Sequence, residues 1–528
     1  MGSLAAVIVS AGAYTLLFPP FDLAWLSWIA LVPLLLAVRG QRPAAAAALT
    51  GLWGLLMTAA IIAWLVPTLH LHFQRSMAWS VLFLLLFSAV VASPFYAAAC
   101  ALYAWTRPHL PRAMAPLLLV AAWVAAEYAR THFGFRSPWA KLGDAHHASE
   151  RLRQLAALTG VYGVSSVVVL GNVAAVEAIA VCRRWLRGRS PDFASAGVAA
   201  GVFGLVCTAS LVYGETRRIP EASPTGSFDV AIVQGNVLSQ LRWTRFGAAR
   251  VVRRYTELTR TVLVDPGGDE PDLVLWPENA IQTSLDDPVY GLPVRALVRG
   301  GVPILLGAPR SEVTDGARRH FNSAFLLRPD RPVEHYDKRR LLTFSETRAP
   351  LVGLPLLETG GSLDAREYTA GTRPGLFDLD GRRLSVQICF EIVYPELSRE
   401  AARNGATVLV NLSNDGWYRG RGGAQQHLAQ AVLRAVETGL PLVRATTTGV
   451  SAVVAPDGTI VADLGEGVTG TLRAAVPSAR SEPTFYTRVG DAFAIGCVLT
   501  CVLAPFARFR RCGRRVADEG PRDPRTGT

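Results

Sequence analysis

The chain has 528 residues, enough for two or three domains. Half of them are hydrophobic and the mean hydropathy is +0.27, high for a protein that meets only water. The net charge of +12 at pH 7 comes with no nucleic-acid motif, and much of it lies in short loops between apolar runs, so it does not point to a nucleic-acid partner.

Residues 1–213 are dense in Ala, Leu and Val. A membrane-crossing helix needs about 20 mostly apolar residues. Runs at 3–18, 22–38, 44–67, 77–106, 114–130, 164–182 and 193–213 are candidates, and an eighth follows at 490–507. Phe18-Pro19-Pro20-Phe21-Asp22 separates the first two. The first run has no basic segment before it and more spans follow at once, so it reads as a span rather than a cleaved signal. Arginines orient the bundle. Arg39 and Arg42 follow the second run, Arg107 and Arg112 the fourth, Arg183, Arg184, Arg187 and Arg189 the sixth, and Arg508, Arg510, Arg511, Arg514 and Arg515 the eighth. With eight crossings these loops share one side, and positive loops stay cytoplasmic. The expected layout is a seven-helix bundle over 1–213, an extracytoplasmic domain over 214–488, a closing helix over 489–507 and a basic cytoplasmic tail over 508–528. Glu127 and Arg130 end the fifth run, where a local pair or snorkelling explains them. Glu177, in the sixth run, has no evident partner in the sequence.

The 214–488 segment alternates short apolar runs with Asp, Gly, Pro and Arg. Strands are expected at Asp229–Gln234, Asp272–Trp276, Pro303–Leu306, Ser323–Leu327, Leu384–Cys389, Thr407–Asn411, Pro441–Thr446 and Ser451–Ala455. Helical patterns cover Arg245–Val264 and Ala424–Thr438. The alternation argues for an α/β domain, and no repeat of solenoid length is visible.

Only two lysines occur, against 51 arginines. Arg does not give up its proton in proteins, whereas Lys shifts its pKa readily when buried. Lys338, in Tyr336-Asp337-Lys338, is therefore a candidate for chemistry, while Lys141 reads as a loop charge. Of the seven cysteines only Cys389 falls in the 214–488 domain, which leaves no intradomain disulfide and no Cys-rich metal site there. Cys389 closes the run Ser385-Val386-Gln387-Ile388, with Phe390 and Glu391 next. Glu278 follows Trp276-Pro277 at another strand end. Alone, such a Cys reads as packing and such a Glu as a solvated charge. Together, Glu278, Lys338 and Cys389 offer a base, an oxyanion-stabilising cation and a nucleophile without histidine.

At these residues the domain resembles the nitrilase, or carbon–nitrogen hydrolase, superfamily, and the whole chain resembles its integral-membrane branch, the apolipoprotein N-acyltransferases. The likeness rests on Val233-Gln234-Gly235-Asn236, Trp276-Pro277-Glu278, Tyr336-Asp337-Lys338 and Ile388-Cys389-Phe390-Glu391. It continues with Asn411-Leu412-Ser413-Asn414-Asp415-Gly416-Trp417, Gln426-His427 and Arg444-Ala445-Thr446. Gly134-Phe135-Arg136-Ser137-Pro138-Trp139 is similar to a family loop with two residues inserted. The resemblance implies an αββα sandwich on about eight membrane helices, a Glu278–Lys338–Cys389 triad and no cofactor or metal. It implies a phospholipid as acyl donor and the diacylglyceryl-cysteine of an apolipoprotein as acceptor. The place is the bacterial inner membrane, with the domain on the periplasmic face and a monomer as the default. It also assigns Glu346 as a second active-site carboxylate, Glu391 and the Phe390 N–H as supporting groups, and Trp243 to the lipid entrance. Structural ion pairing remains open for Glu346 and Glu391, and simple packing for Trp243. His427 reads as structural. The chain departs from the family at Leu342-Thr343-Phe344-Ser345-Glu346 (usually Val-Pro-Phe-Gly-Glu), at Phe390 (usually Tyr) and at Thr447 (usually Asn). The drifted residues leave open an acyltransferase with another acceptor, and three further rivals are a membrane-tethered amidase, a lipid-binding protein with a decayed site and a transporter. The bundle shows neither paired charges nor the inverted repeat that the last would need.

Overall fold

The computed structural model describes residues 2–191, 193–217, 228–237, 245–263, 270–329, 331–343, 345–347, 367–418 and 420–506. The expectations for Trp243 and for the tail over 508–528 lie outside the described residues.

Among the described residues, four helices are long and apolar enough to cross a membrane: Pro43–Ile61, Met77–His109, Val161–Leu186 and Phe193–Arg217. Local sequence explains their limits. Pro43 starts the first at a position where its missing N–H costs nothing, and five alanines follow. Ser76 caps the second by accepting from the Trp79 N–H at 3.2 Å. The runs at 3–18, 22–38 and 490–507 form the shorter apolar helices Ser3–Thr15, Ala24–Val38 and Ala492–Leu503. Within the second of these, a 3₁₀ turn over Ala24–Trp28 precedes an α-helix over Val32–Val38. The run at 114–130 forms Ala115–His132. Large apolar side chains such as Leu205, Val212 and Phe193 point outward from the bundle, the pattern of helices surrounded by a nonaqueous phase.

The remaining chain forms two six-stranded sheets. The first holds β1 (Phe228–Gln234), β2 (Leu273–Leu275), β3 (Ile304–Thr314), β4 (Ala317–Leu327) and β5 (Glu334–Asp337). The second holds β6 (Leu376–Leu379), β7 (Arg382–Ile388), β8 (Val408–Ser413), β9 (Leu442–Thr446), β10 (Ser451–Val454) and β11 (Ile460–Leu464). The last strand, β12 (Gly470–Val476), returns to the first sheet, so the orders are β12-β1-β2-β3-β4-β5 and β11-β10-β9-β8-β7-β6. Strands β1-β2-β3 and β7-β8-β9 are parallel. Ile232, Leu275 and Leu326 of one sheet meet Val386, Val410 and Val443 of the other in a shared core. Helices Arg245–Leu263 and Pro288–Val298 cover the outer face of the first sheet. Helices Pro395–Arg403 and Gly423–Thr438 cover the second. The result is the expected αββα sandwich. All eight expected strands form. Of the four unexpected ones, β5 and β6 are short, β11 is largely exposed and β12 is only half-buried, so they lack the buried apolar run that marks a strand.

The second helix layer shares one apolar core with the bundle. Gln426 pins the seam. Its Oε1 accepts from Trp139 Nε1 at 2.8 Å and Trp64 Nε1 at 3.3 Å, and its Nε2 donates to the Pro19 and Ile61 carbonyls at 2.7 and 3.2 Å. Gly422 has φ +79°, and a Cβ there would lie 2.5 Å from Pro20 Cδ, so only glycine lets this helix start against the first bundle turn. Glu437 accepts from the Val161 N–H at 2.9 Å, and Arg153 donates to the Asp457 carbonyl at 2.7 Å.

Candidate active site

Glu278, Lys338 and Cys389 come from three strand ends. Glu278 follows β2, Lys338 follows β5 and Cys389 follows β7. The carboxyl ends of strands are where open α/β sheets present ligand-binding groups. All three are buried, at 3, 2 and 7% exposure. Glycine at 307 on β3 lets the chain carrying Glu278 pass, since a Cβ there would sit 2.6 Å from Glu278 Cα. Cys389 has φ +53°, a left-handed conformation that a non-glycine residue holds only when its surroundings impose it. A 3₁₀ turn over Cys389–Val393 begins there.

The charges form a closed cluster. Lys338 Nζ lies 2.9 Å from Glu346 and 3.4 Å from Glu278 Oε1. Asn322 Nδ2 bridges the two carboxylates, at 2.7 Å from Glu278 and 2.8 Å from Glu346. Glu278 Oε2 accepts from the Asn414 N–H at 2.8 Å, and Glu346 Oε2 accepts from the Leu342 N–H at 2.7 Å. Burial opposes the Lys338 charge, but the Glu346 and Glu278 carboxylates outweigh it, and the ammonium is held well above its ordinary pKa. Burial pushes the Cys389 thiol up and the Glu278 charge adds to this, with Lys338 acting in the opposite sense. The resting sulfur is therefore protonated at neutral pH and needs a base beside it.

Glu391 is fully buried and ties two of these strand ends together. Oε1 accepts from the Arg339 and Arg340 N–H groups at 2.8 and 3.0 Å, just past Lys338. Oε2 accepts from the Ile388 N–H at 2.7 Å, just before Cys389. The Tyr336 hydroxyl donates to both oxygens at 2.8 and 2.9 Å. Among the described residues no cationic side chain bonds to it, and its partners are backbone N–H groups and a tyrosine hydroxyl rather than an ion. Burial raises its pKa while the backbone N–H groups work to lower it. Glu346 is an ion-pair partner, and the ion is Lys338.

Beneath Cys389, Asn411 Nδ2 donates to the Gln387 and Cys389 carbonyls at 2.9 and 3.2 Å. Arg444 pairs with Asp415 at 2.6 Å and also donates to Asn411. Ser413 Oγ donates to Asp415 at 2.7 Å. His427 Nδ1 lies 3.2 Å from Asp415 and 3.0 Å from Arg444, all fully buried, in keeping with its structural reading. Burial alone would raise the Asp415 carboxyl, but Arg444 and His427 hold it well below the ordinary range.

Cys389 and Phe390 stand on the wall of an apolar cavity of about 190 Å³ between the domain and the bundle. Met57, Ile61, Phe83 and Phe87 line its bundle side, with Trp417 and Tyr418 opposite. Phe390 stacks on Trp139 with centroids 5.6 Å apart and planes 1° from parallel, which brings the 134–139 loop to the cysteine. Arg130 also lines the cavity. It is 2% exposed, its guanidinium sits over the Tyr96 ring at 5.8 Å, and its Nε and Nη2 find no hydrogen-bond partner among the described residues. It does not snorkel, and Glu127 instead accepts from the Leu142 N–H at 2.8 Å.

Two further expectations change. Lys141 is fully buried rather than a loop charge, because the 137–146 loop folds under the domain. Its Nζ donates to the Pro138 carbonyl at 2.6 Å and lies 3.4 Å from Asp144. Glu177 has partners, Arg39 at 2.6 Å and Ser195 at 2.7 Å. Asn322, which joins the two carboxylates, went unrecognised in the sequence.

A nitrilase-type sandwich with a buried Glu, Lys and Cys at its strand ends defines the class as carbon–nitrogen hydrolase-like, and residues 230–486 match the family described as carbon-nitrogen hydrolase. Residues 10–174 match the description apolipoprotein N-acyltransferase N-terminal domain. The chain is 31% identical to the apolipoprotein N-acyltransferase of Geobacter metallireducens, covering 96% of this chain and 95% of that protein. It is 30% identical to that of Caulobacter vibrioides, covering 97 and 96%. Among solved structures, Saccharomyces cerevisiae Nit3 of the nitrilase superfamily matches at 20% identity and a TM-score of 0.36, covering 50% of this chain and 95% of its own. The chain belongs to the apolipoprotein N-acyltransferase family.

Proposed function

We propose that the protein moves a fatty acyl chain from a membrane phospholipid to the α-amino group of an apolipoprotein's diacylglyceryl-cysteine, by ping-pong transfer through a Cys389 thioester. The observation that carries this reading is the apolar cavity between bundle and domain with Cys389 in its wall. A water-soluble amide needs no such space, which disfavours the amidase alternative. Arg130 adds a buried cation whose Nε and Nη2 are unmet among the described residues, where a phospholipid brings a phosphate.

Glu278 takes the Cys389 proton, and the thiolate attacks the ester carbonyl. Lys338 and the Phe390 N–H stabilise the oxyanion. Collapse releases a lysophospholipid, whose alkoxide takes the proton from Glu278. The acceptor amine then attacks the thioester and gives a proton to Glu278. Collapse to the amide expels the Cys389 thiolate, which takes that proton back. Glu346 holds Lys338 charged, and Glu391 positions the lysine and cysteine strand ends. Trp243 belongs at the lipid entrance by family resemblance alone.

The arginine loops support eight crossings, with the catalytic domain on the periplasmic face of the bacterial inner membrane. Two acylated substrates explain a membrane enzyme, since each buried CH₂ holds roughly 0.8 kcal/mol. The test supplies reconstituted protein with phosphatidylethanolamine and a diacylglyceryl-cysteine peptide. Mass spectrometry of the peptide reads an added acyl chain on nitrogen with wild type and none with Cys389→Ala. Release of free fatty acid with unmodified peptide would instead make the protein a hydrolase.

A further inference from the structure

A second pocket, of about 250 Å³, lies in the bundle and is lined by Arg39, Arg107, Arg112, Arg184, Glu177 and Ser195. It sits at the end away from the catalytic domain. Val161 bonds Glu437 of the domain at the start of its helix, and Glu177 comes 16 residues later, roughly 24 Å along the axis. Arg39 likewise precedes helix Pro43–Ile61, whose far end touches Gln426. No part of the proposed acyl transfer uses this pocket.

Among the described residues, four guanidiniums and one carboxylate line it. Glu177 is taken up by a two-toothed pair with Arg39, at 2.6 and 2.9 Å, and by the Ser195 hydroxyl at 2.7 Å. Among the described residues Glu177 is the only acid lining the pocket, and Arg107 and Arg184 add positive charge beyond the Arg39–Glu177 pair. Arg184 is held by donating its Nε to the Ser190 carbonyl at 3.0 Å. The Glu177 pair fixes Arg39 in place before any ligand arrives. Planar guanidinium forks match phosphate oxygens in pairs. Arginine pockets between membrane helices take up lipid headgroups, and Ala180 and Val181 provide an apolar flank for the glycerol end.

We infer that this pocket binds a phosphate group, carried by an anionic phospholipid of the leaflet opposite the catalytic domain. The test uses full-length protein in detergent, wild type beside Arg107→Gln/Arg184→Gln, with native mass spectrometry counting retained dioleoylphosphatidylglycerol. Lipid in the catalytic cavity is common to both proteins, so their difference reports this pocket. Wild type is expected to retain one more molecule, with at least tenfold tighter binding than the variant. Inorganic phosphate forms the second arm. If it alone binds the wild type more tightly than the variant, the source of the phosphate is the free ion rather than a lipid. Arg107→Lys/Arg184→Lys keeps the charge and serves if the Gln variant is poorly folded, with a partial loss expected because the fork is gone. Equal lipid count and affinity in all three proteins, with no difference in phosphate binding, would overturn the inference.

Discussion

Replacing Glu391 with Gln changes one oxygen to an amide and leaves the shape alone, yet it should cripple acyl-enzyme formation. Glu391 takes three backbone N–H groups and the Tyr336 hydroxyl. A glutamine that keeps its oxygen toward Arg339 and Arg340 turns an NH₂ against the Ile388 N–H. That leaves a buried donor unmet, at about 1–3 kcal/mol, and the surviving bonds lose their charge assistance, at about 1 kcal/mol each. The total is roughly 4–6 kcal/mol, and it falls on the segment that holds Cys389 at φ +53°. A nucleophile displaced by about 1 Å loses on the order of 100-fold in rate. Single-turnover acylation from phosphatidylethanolamine, followed by intact mass, should therefore slow by on the order of 100-fold in Glu391→Gln, while lipid binding holds. Acylation within a few-fold of wild type, at unchanged thermal stability, would refute the positioning role.

Three other outcomes follow from the same geometry. Because the Cys389 thiol is raised by burial and by Glu278, its alkylation by iodoacetamide should keep climbing past the ordinary thiol pKa of about 8.5, and a plateau below pH 8 would contradict this. Asp415→Asn strands buried Arg444 and should destabilise by about 3–5 kcal/mol. The Asp415 carboxyl is depressed, so the wild-type advantage is full above the unfolded pKa of about 3.9 and shrinks as pH falls through the folded one. Thermal unfolding of both proteins from pH 3 to 7 reads it, and a gap that widens toward acid would be the wrong sign. Gln426→Leu leaves two tryptophan N–H groups and two carbonyls unmet at the seam. It should cost at least about 3 kcal/mol and speed proteolysis between bundle and domain, and protease resistance equal to wild type would remove Gln426 from that role.

The sandwich was readable because its central strands are continuous apolar runs, and a strand buried on both faces leaves that mark. Strand β11 and the outer halves of β3 and β4 alternate or are exposed, so pattern reading passed over them. Lys338 was legible through rarity and Cys389 through isolation, both properties of composition. Asn322 was not, because an asparagine signals nothing until the fold sets two carboxylates on either side of it. Lys141 misled for the same reason in reverse. Its loop looks polar, and only the domain lying over it makes it buried. The partner of Glu177 was equally hidden, since Arg39 lies 138 residues away and reaches it only through helix packing.

The most direct test of the account is the state of Cys389 after exposure to donor alone. Reconstituted protein incubated with phosphatidylethanolamine and no acceptor should gain the mass of one fatty acyl chain. Peptide mapping should place the adduct on Cys389, and neutral hydroxylamine should remove it. An unmodified Cys389, or an acyl chain that survives hydroxylamine, would contradict transfer through a thioester.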